Sequence, residues 1–297
     1  MVERNSLRVR FRNWNVSLAM LAALAAIGCD GVSRTTKVNV AKVRPVKVAT
    51  QADLVAAYNQ IAEKIRSLNA SVSLTPTAGS TYSGVIQEYH EVNAFILARK
   101  PAMIRMIGQA PVLAKNVFDM TSDGQTFHIY IPSKNKFIIG PSSLERSAEK
   151  PIENLRPQHL LDAFFWPQIP EGAHVLFEEN EDATARYYVL TVTRDGSSPE
   201  IERKLWFDRA ELNLARAQIY GTGGRLLSDI HLEDWRPATG TAPYPWHITL
   251  NRPHDDYQLD IHVTKLAMNE SISDDRFRLE QPPGTELVKL GESGPGA

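Results

Sequence analysis

A single cysteine, Cys29, stands in the 297-residue sequence. That excludes an internal disulfide and any metal site built from several cysteines. A membrane-crossing helix is missing as well, because the apolar run from Val16 to Ile27 stops short of the ~20 residues such a helix needs. Nor is there a basic excess: Lys plus Arg number 33 and Asp plus Glu 34. The first 28 residues carry four Arg against one Glu, so the remainder bears 33 − 4 = 29 positive and 34 − 1 = 33 negative groups, a net charge of −4. Nucleic-acid binding asks for the opposite sign. Catalytic signatures are scarce too. Ser133 to Lys136 spells S-x-x-K, but it sits in a hairpin turn where that chemistry needs a helix start. His231-Leu232-Glu233 lacks the downstream cysteines of a zinc deaminase, and His254-Asp255-Asp256 reads as a turn with no second cluster. The eight histidines are scattered and read as structural, with no metal and no cofactor expected.

What the sequence does have begins at the N-terminus. Arg4, Arg8, Arg10 and Arg12 precede the short apolar run, and Ala26-Ile27-Gly28-Cys29 follows it. A positive head, a short apolar stretch and a small-residue exit read as an export signal over residues 1–28. The exit resembles the lipobox of bacterial lipoproteins, which makes Cys29 the expected lipid attachment site. Residues 29–49 are polar and basic with alternating Val, which suits either a tether near anionic headgroups or an edge strand. Asp30 follows the lipidated position, and in enteric bacteria an Asp there marks the inner membrane. The export signal alone leaves the choice between inner and outer membrane open.

At 43% hydrophobic and 23% charged residues, the composition is that of an ordinary globular protein. Leu54, Tyr58, Ile61, Ile65 and Leu68 recur at spacings of three and four, predicting one amphipathic helix over 50–68. Thr50-Gln51-Ala52-Asp53 has the form of its N-terminal cap. Beyond Asn69 the period falls to two, and turn signals recur at 122–124, 132–135, 208–213, 221–224 and 252–256. This predicts an antiparallel meander. A second helix is expected at Pro157–Trp166, opened by Pro157 and stopped by Pro167. The fold class is therefore α+β, mainly β.

The stretch Ala98-Arg99-Lys100-Pro101 through Ser122-Asp123-Gly124 to Phe127-His128-Ile129-Tyr130-Ile131-Pro132 resembles the carrier and receptor proteins of bacterial lipoprotein sorting, LolA and LolB. The segment Phe277 to Gly284 is similar to that family's closing strand. Gln109-Ala110-Pro111-Val112-Leu113 resembles the receptor's membrane-contact loop, and Leu155-Arg156-Pro157 into Leu160–Trp166 its helix-to-strand passage. The middle of the chain, notably 141–155, is longer than expected for the family, so a divergent relative closest to the lipidated receptor is implied.

From that resemblance follow the finer expectations. The lipid-binding domain spans 50–290, an incomplete antiparallel barrel of about 11 strands with an N-terminal helix and a short lid helix, and 291–297 form a disordered tail. Ile104, Met106, Phe127, Ile129 and Ile131, with Leu161, Phe164 and Phe165 from the lid, are expected to line an acyl-chain cavity; ordinary core is the alternative. Arg99 and Lys100 occupy the position of a lid latch. Val112 and Leu113 would touch membrane or fold back onto the sheet. The implied function is that of a non-enzymatic, lipid-anchored periplasmic carrier or receptor for acyl chains of lipoproteins or phospholipid. Its implied partners are the membrane and a soluble lipoprotein carrier, not nucleic acid. The alternative is an envelope-stress sensor similar to RseB that reports to a protein partner, and a lipid hydrolase stands third.

Overall fold

The computed structural model describes residues 45–80, 84–112, 115–144, 154–181, 185–194, 196, 198–238 and 242–291. Cys29, the expected signal peptide and the 292–297 tail lie outside them. The described residues belong to one compact unit, 45–297.

It opens with α1 (Gln51–Lys64). Thr50 accepts from the Asp53 backbone N–H while the Asp53 carboxylate accepts from the Thr50 backbone, a reciprocal capping box. That hydrogen bond from Thr50 holds the Asp53 carboxyl below the usual range. The helix is shorter than its apolar stripe suggested. Ile65 is already extended, and Leu68 belongs to the first strand.

Among the described residues fifteen strands form one sheet: β1 (Ser67–Ser80), β2 (Val85–Glu88), β3 (Val92–Arg99), β4 (Met103–Gln109), β5 (Asn116–Ser122), β6 (Thr126–Ile131), β7 (Lys136–Pro141), β8 (Val175–Glu181), β9 (Arg186–Arg194), β10 (Glu200–Asp208), β11 (Leu214–Tyr220), β12 (Leu226–Arg236), β13 (Tyr244–Arg252), β14 (Tyr257–Met268) and β15 (Glu286–Lys289). The order is 15-7-6-5-4-3-1-14-13-12-11-10-9-8, with β2 attached to the end of β1. Two hairpin-linked meanders, β3–β7 and β8–β14, are thus stitched together by β1. Its 14 residues pair with β3 on one side and, across some two hundred residues of sequence, with β14 on the other. β8 and β15 remain edges, so the sheet is curled but not closed into a barrel.

The sequence's turns fall where strands end. Asp123 accepts from the Gln125 and Thr126 backbone N–H groups, and Gly124 takes φ +91°, open to glycine without strain. Asn135 adopts a left-handed conformation after the 132–134 turn. The closing strand differs from expectation. Residues 277–284 are not a strand; after Phe277 the chain crosses the convex face of β4–β7, and only 286–289 pair, parallel to β7. Arg105 fixes this crossing by a two-pronged ion pair with Asp119 and by donating to the Arg276 and Arg278 carbonyls.

The second helix, α2 (Pro157–Phe164), lies in the connection between the two meanders. Pro157 opens it where no backbone donor is needed, and Phe165 ends it in an extended conformation.

Candidate ligand-binding site on the concave face

Antiparallel register decides which side chains share a face. Met106 lies opposite Met120, Met120 opposite Ile129, and Ile129 opposite Ile138, so one apolar row crosses four strands. Directly opposed residues point to the same side of a sheet. Ile104, Ser122, Phe127 and Gly140 form the neighbouring row. Gly140 is required there, since a Cβ would sit 2.8 Å from the Phe127 ring. Across β1 the surface continues through Leu74, Ile261, Ile248 and Leu232.

The eight residues expected to line a cavity do converge on this concave face, but it is covered. Ile104, Met106 and Phe127 are fully buried, Ile129, Phe164 and Phe165 nearly so, and Ile131 and Leu161 pack against the same cluster half-buried. Leu160, Phe164, Phe165 and Trp166 press onto the sheet, and Trp166 stacks on Tyr244 at 5.9 Å. α1 adds Leu54, Tyr58 and Ala62, with Tyr58 edge-on to Phe207 at 6.4 Å. A cleft of about 220 Å³ beside Arg66, Arg99 and Glu270 lies off this face, below the roughly 300 Å³ at which ligand pockets begin.

Polar groups ring the apolar contact. Lys100 donates its ammonium to the Ala62 carbonyl in the last turn of α1, with Nζ 5.6 Å from the centre of the Phe165 ring. Burial pulls its pKa down. The basic pair before Pro101 therefore divides: Arg99 turns to the C-terminal segment instead, donating to the Ile272 carbonyl and pairing with Asp274. Arg203 is buried in the apolar phase of β10, in line with Leu205 and Phe207. It donates to the carbonyls of Pro167 (2.5 Å) and Gln168 (3.1 Å) and to Tyr58 Oη. Tyr58 Oη donates to Pro167 O, and Asn59 both donates to Ile169 O and accepts from Ile169 N. Burial pushes the Tyr58 hydroxyl up to about 12. α1 and the 165–170 loop are thus held to each other and to β10.

α2 has its own clasp. Arg252 bridges Asp255 (2.9 Å) and Ser228 (2.8 Å), and Ser228 donates to Asp162 at 3.0 Å. His159 Nδ1 lies 2.6 Å from Tyr257 Oη. Burial first, then the charges of Arg252 and Arg156, hold His159 well below the usual histidine range, so it is neutral. Arg156, itself buried, lies 4.9 Å over the Phe127 ring. The hydroxyl of Ser228 is thus engaged by a carboxylate and a guanidinium, and the His159 contact is to a phenol. These contacts do not form a nucleophile and base.

Arg203, Arg252 and Ser228 were not anticipated. Their signal was present as charged or polar residues in the inward phase of otherwise apolar strands. Val112, at the β4–β5 tip, is 93% exposed and does not fold back on the sheet. Leu113 lies outside the described residues. No helix among them is long and apolar enough to cross a membrane.

The described residues thus form an incompletely closed, mainly antiparallel barrel whose apolar concave face is covered by two helices. No protein-family profile matches the chain, and no protein of curated function matches it in sequence. Among solved structures it is similar to a LolA superfamily protein from Nitrosomonas europaea (16% identity, 78% of this chain and 99% of that one covered, TM-score 0.48). It is similar also to a DUF1329 family protein from Desulfovibrio piger (14%, 76% and 95%, 0.48). A domain assigned to outer membrane lipoprotein sorting, from Vibrio parahaemolyticus, is a third likeness (7%, 75% and 94%, 0.46).

Proposed function

We propose that this chain is a lipid-anchored carrier or receptor of the bacterial envelope that holds acyl chains, of lipoproteins or of free phospholipid, against its concave face. The observation that carries the reading is how that face is closed: an apolar surface covered by helices whose perimeter is fastened by hydrogen bonds and charge. Each neutral hydrogen bond contributes a net ~0.5–1.5 kcal/mol and each charged one ~1.5–3. Swinging α1 aside would expose Leu54 and Tyr58, at roughly 1.5–3 kcal/mol for a large apolar side chain. An acyl chain of roughly 16 carbons, at ~0.8 kcal/mol per buried CH₂, brings on the order of 10 kcal/mol in return. Exchange of lid for ligand is therefore energetically within reach.

In this reading Lys100 is the latch of α1, and Ile104, Met106, Phe127 and Ile129 are the wall beneath it. Cys29 is the anchor, and Val112 and Leu113 touch the membrane. Lipoprotein sorting or insertion at the outer membrane is the process such a protein serves. The engaged state of Ser228 and His159 favours carriage over hydrolysis.

The test is titration of the purified chain with a fluorescent fatty acid. We expect saturable binding, displaced by palmitate. Met106→Gln, which keeps the length of the side chain but leaves a buried amide short of partners at ~1–3 kcal/mol, should weaken it about tenfold. A folded protein that gives no saturable signal would overturn the proposal.

A further inference from the structure

The convex face, remote from the acyl site, carries a group of side chains that neither the fold nor the carrier reading uses. Glu233 of β12, His247 of β13 and His262 of β14 lie directly opposite one another in register, with Asp260 two residues before His262. Their neighbours Leu232, Ile248 and Ile261 are buried on the other side, so all four point outward. The imidazoles of His247 and His262 stack face to face, 4.2 Å apart and 8° from parallel. Both turn Nε2 toward one oxygen, Asp260 Oδ1, at 2.7 Å for His247 and 3.6 Å for His262. His247 Nδ1 is 2.9 Å from Glu233 Oε2.

The hydrogen inventory of this cluster does not close with neutral rings. His247 faces a carboxylate at each nitrogen, yet a neutral imidazole has one N–H. If Nδ1–H goes to Glu233, the Nε2 lone pair meets the lone pairs of Asp260 at 2.7 Å. A second proton on His247 relieves that contact, and so does one divalent ion, which in addition engages the Nε2 of His262, turned toward the same oxygen at 3.6 Å.

We propose that His247 Nε2, Asp260 Oδ1 and His262 Nε2 bind a divalent transition-metal ion of the zinc class. The three ligand atoms lie within 4.8 Å of one another. Tetrahedral bonds of roughly 2.0–2.1 Å set ligands about 3.4 Å apart, so binding turns the two stacked rings out of parallel until both Nε2 lone pairs aim at one ion. Two imidazoles and one carboxylate suit zinc and its first-row neighbours over calcium or magnesium, which prefer oxygen. Glu233 supplies the carboxylate–histidine–metal relay that fixes the tautomer of a ligating histidine. His262 is the exposed member, so the remaining coordination position faces solvent. The ion joins β13 to β14 and, through Glu233, to β12.

The test uses the full chain without a polyhistidine tag, stripped by chelator and titrated with Zn²⁺ by calorimetry. Co²⁺ absorption serves as the second readout. We expect one equivalent bound and a Co²⁺ spectrum of tetrahedral intensity. His262→Ala and Asp260→Ala should each weaken Zn²⁺ at least tenfold, and Glu233→Ala about tenfold. His231→Ala, outside the triad, should bind as the parent does. The proposal is overturned if the parent takes up no Zn²⁺, or if His262→Ala and Asp260→Ala bind it as tightly as the parent.

Discussion

Replacing Lys100 by Met removes the charge that ties α1 to the sheet and keeps most of the side chain's bulk. The Lys100 ammonium donates to Ala62 O, in the last turn of a helix, where carbonyls lack intrahelical partners and a cation is favoured. A hydrogen bond to a charged group is worth ~1.5–3 kcal/mol. The low end applies, because Lys100 is half-buried and the freed carbonyl regains water. About 1.5 kcal/mol is roughly a tenfold change in an equilibrium. Amide exchange within α1 should therefore quicken about tenfold, while β1 and β14, which do not depend on the latch, exchange as before. If the open form is the one that binds, apparent affinity rises with its population, again about tenfold for a fluorescent fatty acid. Uniform acceleration across helix and sheet would show Lys100 serving global stability alone. Faster exchange in α1 with unchanged acyl affinity would refute the lid itself.

Two other perturbations separate the remaining roles. Val112→Glu with Leu113→Glu should leave the melting temperature within about a degree and acyl binding unchanged, since Val112 is solvent-exposed; transfer of bound lipid to liposomes should slow, and equal transfer rates would remove the membrane-contact role. His159, neutral through burial and its arginine neighbours, has a folded pKa below its unfolded one of about 6.5. Its contribution to stability is complete above about pH 7 and falls as pH drops through 6.5, by up to ~1.4 kcal/mol per unit. Urea melts at pH 7 and pH 5 should show that slope, and His159→Gln should lessen it; an identical slope in the variant counts against the assignment.

Much of the architecture was legible in residues alone. The Thr50–Asp53 cap, the Ser-Asp-Gly hairpin and the Pro-bounded helix at 157 are local features, set by groups within a few residues of each other. That Ile104 and Met106 share a face, as do Phe127 and Ile129, followed from a period of two, while their inward direction was implied by the family resemblance. Long-range pairing was hidden. Nothing in the sequence shows that β1 bridges β3 and β14, or that the Phe277–Gly284 segment crosses the convex face before pairing at 286. The same limit hid the polar ring. Arg203 meets Pro167 O, and Lys100 meets Ala62 O, only after the chain has folded across 36 and 38 residues. His247 and His262 are neighbours through register, not spacing.

The central claim is that the stoppered hollow is a place for lipid. Native mass spectrometry tests it most directly, on the Cys29→Ser chain exported to a bacterial periplasm, so that no covalent lipid confuses the count. We predict a fraction of molecules carrying one noncovalent mass of a phospholipid or fatty acid, lost on mild activation and restored by added palmitate. Recovery of the bare chain alone, with no adduct after incubation with palmitate, would contradict the account and leave the concave face as a packed core.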